Sequence, residues 1–311
     1  GLQTISGTVG NRFNLISIFA SQELQDKVIL LQQKEPTILG KIFHNKPTVY
    51  LQNFATNYLR SFSPEFLFLQ GDPNYRHSVH EMGQMYFFEA ILLLLAFWVI
   101  FRQPLNREKK LLLGWLMIAP IPASLTYDGG FHATRNFLML VPLMILISLG
   151  VPKNKHLFSI LFLLFIFNFI FFMHRYFIHF PNEWRAWHFG YKQALTYVKD
   201  NEKYYDRVVI NNSYEPSLIR FLFWAEYPPD KFHQNFIGDS PEGFNLEKYY
   251  FGNLGGPIES LLDKKTLFMA SGRDDITNPE TLKNPNIKLL KQVDSPTGEP
   301  IFYLLTGQNE K

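Results

Sequence analysis

Two short stretches of this 311-residue chain combine cations, histidines and tight-turn residues. One is Gly71-Asp72-Pro73-Asn74-Tyr75-Arg76-His77-Ser78; the other is Thr126-Tyr127-Asp128-Gly129-Gly130-Phe131-His132-Ala133-Thr134-Arg135-Asn136. An arginine beside a membrane surface can pair bidentately with a phosphate. A histidine can donate to the same group or carry a proton, and Gly129 and Gly130 allow the backbone to approach a ligand closely. The competing reading is that Arg76 and Arg135 reach lipid headgroups only to keep their charge in water. Glu89 sits just inside an apolar run, where an ionisable residue is either functional or interfacial. His174, Arg175 and His179 follow another such run and read as headgroup contacts. No H-E-x-x-H or similar ligand spacing occurs among the nine histidines, so the sequence specifies no cofactor and leaves a divalent metal open.

The surroundings of these residues are apolar. Four runs stand out, at about 85–101, 111–125, 137–151 and 157–173. Crossing the hydrocarbon takes roughly 20 residues, and the run at 157–173 carries only Ser159 and Asn168 as polar positions, unlike a soluble amphipathic helix. The fold expected is therefore a polytopic α-helical membrane protein, with about four transmembrane helices in residues 85–180. Arg102, Arg107, Lys109, Lys110, Lys153 and Lys155 fall in two of the linkers. Lys and Arg accumulate on the cytoplasmic side, which places residues 126–136, 1–84 and 181–311 outside the cell membrane. An outer segment with no preceding signal implies membrane helices upstream of Gly1. Pro120 and Pro122 break the second run and free backbone groups that protein or water must satisfy.

Residues 1–84 read as an extracytoplasmic loop region. Leu51, Phe54, Tyr58 and Phe62 recur near helical spacing, either an interfacial helix or a small core helix. Residues 181–311 read as a soluble extracytoplasmic α/β domain, with helices over 191–200 and 216–227 and strands over 206–211, 266–270, 287–293 and 301–305. The glycines at 252–256 lack the strand–helix context of a phosphate loop. Asn211-Asn212-Ser213 fits the N-glycosylation pattern. Thirty Lys+Arg against 27 Asp+Glu give a net charge of +3, which excludes the concentrated basic face of a nucleic-acid binder. The absence of cysteine excludes disulfides and Cys-ligated metals.

The stretches KIFHNKP (41–47), NYLRSFSPEFLFLQGDPNYRHS (57–78) and APIPASLTYDGGFHATRN (119–136) resemble the C-terminal half of bacterial membrane glycosyltransferases of the GT-C class. The nearest relatives are protein O-mannosyltransferases and aminoarabinose-transferase-like enzymes, sometimes labelled dolichyl-phosphate-mannose-protein mannosyltransferases. The resemblance covers roughly residues 1–190. It implies an inverting hexosyltransferase that moves a sugar from a polyprenyl-phosphate donor to a protein or lipid acceptor on the outer face. In that family an acidic general base lies in a first outer loop, which this sequence does not contain. The resemblance therefore implies no catalytic residue here and an inactive chain on its own. It makes Arg76, His77, His132 and Arg135 the candidates for donor phosphate binding, with Asp128 and Glu89 as weaker ones, since cationic side chains stabilise a developing phosphate anion. Two other readings compete. One is a membrane-anchored, non-enzymatic protein whose outer domain binds a ligand or partner. The other is a transporter fragment, disfavoured by the few polar residues within the runs.

Overall fold

The computed structural model describes residues 16–214, 216–236, 243–252, 263–272 and 282–308. It divides into two units, Gly1–His179 and Phe180–Lys311. Of the glycines at 252–256, Gly255 and Gly256 lie outside the described residues.

Among the described residues, the first unit begins with three helices, α1 (Gln22–Lys34), α2 (Ile38–Phe43) and α3 (Lys46–Ser61). Their starts are set by Ser21, Thr37 and Asn45, whose side chains accept amide protons of the first turn. A wider helical turn follows at Glu65–Leu69. Then come α4 (Glu89–Phe101), α5 (Arg107–Ile118), the single turn α6 (Ile121–Ser124), α7 (Leu140–Leu149) and α8 (Lys155–His174). Leu92, Ala96 and Ile100 recur every four residues on α4 and bury one stripe against Leu143, Leu146 and Ile147 of α7.

The four-helix membrane reading is overturned, because among the described residues one helix is long and apolar enough to cross a membrane. That helix is α8. Its 20 residues rise about 30 Å at 1.5 Å each, the thickness of the hydrocarbon. The first run forms a 13-residue helix only, about 20 Å long, because residues 85–88 are used in the turn before it. The second run is cut at Ile118 by Pro120 and Pro122, as the missing amide protons and ring clashes require. The third begins as a tight turn at Phe137–Met139 and leaves 10 residues of α-helix. Apolar run length counted residues that the backbone places in turns.

The second unit is an α/β fold. Helix α9 (Tyr191–Asn201) precedes β1 (Arg207–Asn211), and α10 (Leu218–Trp224) and α11 (Pro229–Asn235) follow it. Then come β2 (Phe244–Leu246), β3 (Tyr249–Gly252), β4 (Thr266–Ser271), β5 (Ile287–Asp294) and β6 (Pro300–Gly307). The strand order is β2-β3-β1-β4-β6-β5. Strands β3, β1 and β4 are parallel; the remaining pairs are antiparallel. Alternation of side chains across a strand sends Val208 and Ile210 to one face, with Leu195 and Val198 of α9, and Val209 to the other with Phe268 and Leu305. The sequence reading missed β2 and β3, which are three and four residues long.

Phe221 of α10 is fully buried, its ring centroid 4.5 Å from Tyr249 and 5.2 Å from Phe251. Phe221→Ala is expected to destabilise the second unit by about 3–5 kcal/mol through the cavity it leaves. Denaturant unfolding followed by the fluorescence of its tryptophans would measure this.

Candidate functional site

Both polar stretches belong to the first unit, and the fold brings them together. The first is shaped by local turns. Asp72 Oδ1 accepts the Asn74 amide proton at 2.7 Å, and Asn74 Oδ1 accepts that of Arg76 at 2.9 Å, the side-chain turns that Asp and Asn favour. Gly71 has φ +78°, and a side chain there would run into Met82 O. His80 closes the loop, its Nε2 2.8 Å from Pro73 O and its ring stacked on Tyr75.

The second stretch is clamped onto α3. The stripe of Leu51, Phe54 and Tyr58 is not the buried face of that helix. Val49, Asn57 and Ser61 are. Asn57 Nδ2 donates to Thr126 O at 2.7 Å, and Ser61 Oγ donates to Gly130 O at 3.3 Å. Gly129 packs so closely on Ala123 O that a Cβ would overlap it. Asn136 Nδ2 ties the end of the turn back to Gly129 O at 3.0 Å.

The two loops meet at Asp72, which is 3% exposed. Its Oδ2 accepts the backbone N–H of Ala133 at 2.8 Å and the Nδ1–H of His77 at 2.9 Å. The ring of His77 then lies 4.7 Å, centroid to centroid, from that of His132. One ligating atom from each of Asp72, His77 and His132 lies within 4.8 Å of the other two. His132 Nδ1 shares a 3.1 Å hydrogen bond with Thr134 Oγ1. Burial holds His132 below the usual imidazole range, and Arg135 pushes it the same way, while Asp72 opposes both.

Arg135 is paired. Its Nη1 donates to Thr126 Oγ1 at 2.8 Å and to Asp128 Oδ1. Two hollows flank the cluster. A slot of about 270 Å³ is lined by Phe66, Leu67, Met85, Phe137, Met139, Leu140 and Leu143, with Thr134 and Asn136 among its polar members. The Oδ1 of Asn136 is buried without a partner among the described residues. A more polar cleft of about 570 Å³ runs along Glu65, Gln70, Asp72, His80, Glu81 and Phe131. The arrangement offers two imidazoles, a buried carboxylate and a partly exposed guanidinium beside an apolar slot.

No family model matches this chain. No curated protein and no solved structure matches it either.

Of the residues singled out from the sequence, His77, His132, Arg135 and Asp128 fall in or beside the cluster. Arg76 is exposed. Glu89 does structural work: its Oε2 accepts the Tyr86 amide proton at 2.8 Å and closes the first turn of α4, where the helix dipole favours a carboxylate. Asp72 was read only as part of a turn. Its place five residues before a histidine, at the start of a Gly-Asp-Pro-Asn turn, is the signal that could have marked it.

In the unfolded chain the His132 imidazole takes its proton near pH 6.5. In the folded chain it does so only at lower pH. The unfolded state binds more protons in that window, so this histidine's contribution to stability falls as the pH drops through it. Replacing Arg135 with Gln is expected to move the His132 titration upward, read by imidazole proton NMR.

Proposed function

We propose that the first unit binds the phosphate of a polyprenyl-phosphate-linked sugar and serves transfer of that sugar, as a membrane-associated hexosyltransferase component. The carrying observation is the adjacency of the Asp72–His77–His132 cluster and Arg135 to an apolar slot on one side and a polar cleft on the other. The slot suits the first isoprene units, the cationic edge the phosphate, and the cleft the sugar. Among the described residues Arg135 makes its hydrogen bonds through Nη1, which leaves the rest of its fork for phosphate oxygens.

Helix α8 supplies the membrane anchor in this reading. None of its residues is buried, as a lipid-facing helix requires. Lys153 and Lys155 at its start favour a cytoplasmic position for that end. At its other end Arg175 Nε donates to His80 O at 3.0 Å and Nη1 pairs with Glu81 at 2.5 Å, so the cluster's loop sits at the extracytoplasmic end. The outward apolar side chains of α4 and α7, among them Leu94, Trp98 and Ile145, fit the same lipid surface. The acceptor hydroxyl belongs to a protein or a lipid.

A second reading places ligand binding in the second unit. A hollow of about 340 Å³ there is lined by Trp187, His188, Tyr191, Lys192, Arg220 and Trp224, a set suited to an anionic or saccharide ligand.

Titration of the detergent-solubilised chain with a polyprenyl phosphate and with the matching polyprenol separates these readings. The phosphate should bind more tightly than the alcohol, and Arg135→Gln should weaken it about 10–100-fold, the loss of one or two charge-assisted contacts. Equal affinity for phosphate and alcohol would sink the assignment.

A further inference from the structure

We propose that Asp72, His77 and His132 hold a divalent first-row transition-metal ion of the zinc class, which presents an open coordination position to the ligand's phosphate. The second half of this statement rests on the phosphate reading; the metal site does not. Three side chains from two loops, Asp72 and His77 from one and His132 from the other, already bring one ligating atom each within 4.8 Å of the others. A tetrahedral ion with bonds of about 2.1 Å needs ligand atoms about 3.4 Å apart, so a small rotation of the two rings completes the set. Two imidazoles and one carboxylate match zinc and its neighbours rather than magnesium or calcium, which prefer oxygen alone. Three protein ligands leave a position open, as in reactive rather than structural zinc sites.

The outer hydrogen bond of His132 is one that a metal-bound histidine needs. His132 Nδ1–H donating to Thr134 Oγ1 keeps the Nε2 lone pair of that ring for a ligand, and at His77 the Nδ1 that lies 2.9 Å from Asp72 is the atom placed to share an ion with the carboxylate, the ion replacing the proton between them. A carboxylate has about four acceptor sites. Asp72 uses one on Oδ1, for Asn74, and two on Oδ2, for Ala133 and His77, so Oδ1 retains one. The charge balance also permits a dication. Arg135 is the nearby cation, and Asp128 pairs with it, while Asp72 contributes a second negative charge.

The test uses the full chain in detergent, stripped with a chelator, loaded with Zn2+ or Co2+ and dialysed. Elemental analysis should find one Zn2+ retained per chain, and the Co2+ form should show the visible absorption of a low-coordinate site. His132→Gln and His77→Gln should each weaken retention by at least about 10-fold, with circular dichroism confirming the fold. His156→Gln, an exposed histidine at the start of α8, should change nothing. No retention by the wild type, or equal loss in the His156 variant, would overturn the metal site. Retained metal with polyprenyl phosphate binding no tighter than polyprenol would overturn the phosphate reading and leave the metal site standing. Retained metal with phosphate binding indifferent to chelation would overturn the coordination of phosphate to the ion.

Discussion

The first unit's chemistry depends on one buried carboxylate. Asp72 is removed from water and accepts three hydrogen bonds, two from backbone amides and one from His77. A buried carboxylate without such partners would be costly enough to force protonation or exposure. With them it becomes a staple, because the amide of Ala133 lies 61 residues further along the chain. The loop at 71–80 and the loop at 129–136 are thereby fixed to each other. The pairing of His77 with His132, and the nearness of both to Arg135, follow from that staple.

The remaining contacts hold the staple in place from either side. On one side, Asn57 and Ser61 of α3 donate to the carbonyls of residues 126 and 130. On the other, Arg175 at the end of α8 grips His80 and Glu81. Both of these residues have positive φ, 56° and 53°, a conformation that costs a non-glycine residue about 1 kcal/mol or more. The surrounding bonds must exceed that cost. The result couples the long apolar helix α8 to the polar loop at 71–81.

Much of this was legible in the residues themselves. His77, His132, Arg135 and Asp128 could be singled out because cations and histidines in turn-rich stretches beside apolar runs are few. The strands around Val208, Phe268 and Leu304 announced themselves through continuous apolar runs, as strands buried on both faces do. What failed was anything that needed tertiary distance. Asp72 resembled any turn aspartate until Ala133 was brought to it. The stripe of Leu51, Phe54 and Tyr58 left an interfacial helix and a small core helix both open, because burial of Asn57 and Ser61 depends on loop carbonyls that no local pattern reveals. The count of membrane helices failed because hydropathy does not register that residues 85–88, Pro120, Pro122 and residues 137–139 leave the helix.

On the proposed reading, one lipid phosphate lies between the two loops with its chain in the neighbouring slot. Photo-crosslinking with a polyprenyl phosphate that carries a diazirine on its first isoprene unit tests this most directly. Labelled peptides read by mass spectrometry should come from the slot, around Phe66, Met85 and Leu140, and excess unlabelled polyprenyl phosphate should suppress them. Labelling concentrated in residues 180–311, or spread along the outward faces of α4, α7 and α8 without suppression, would contradict it.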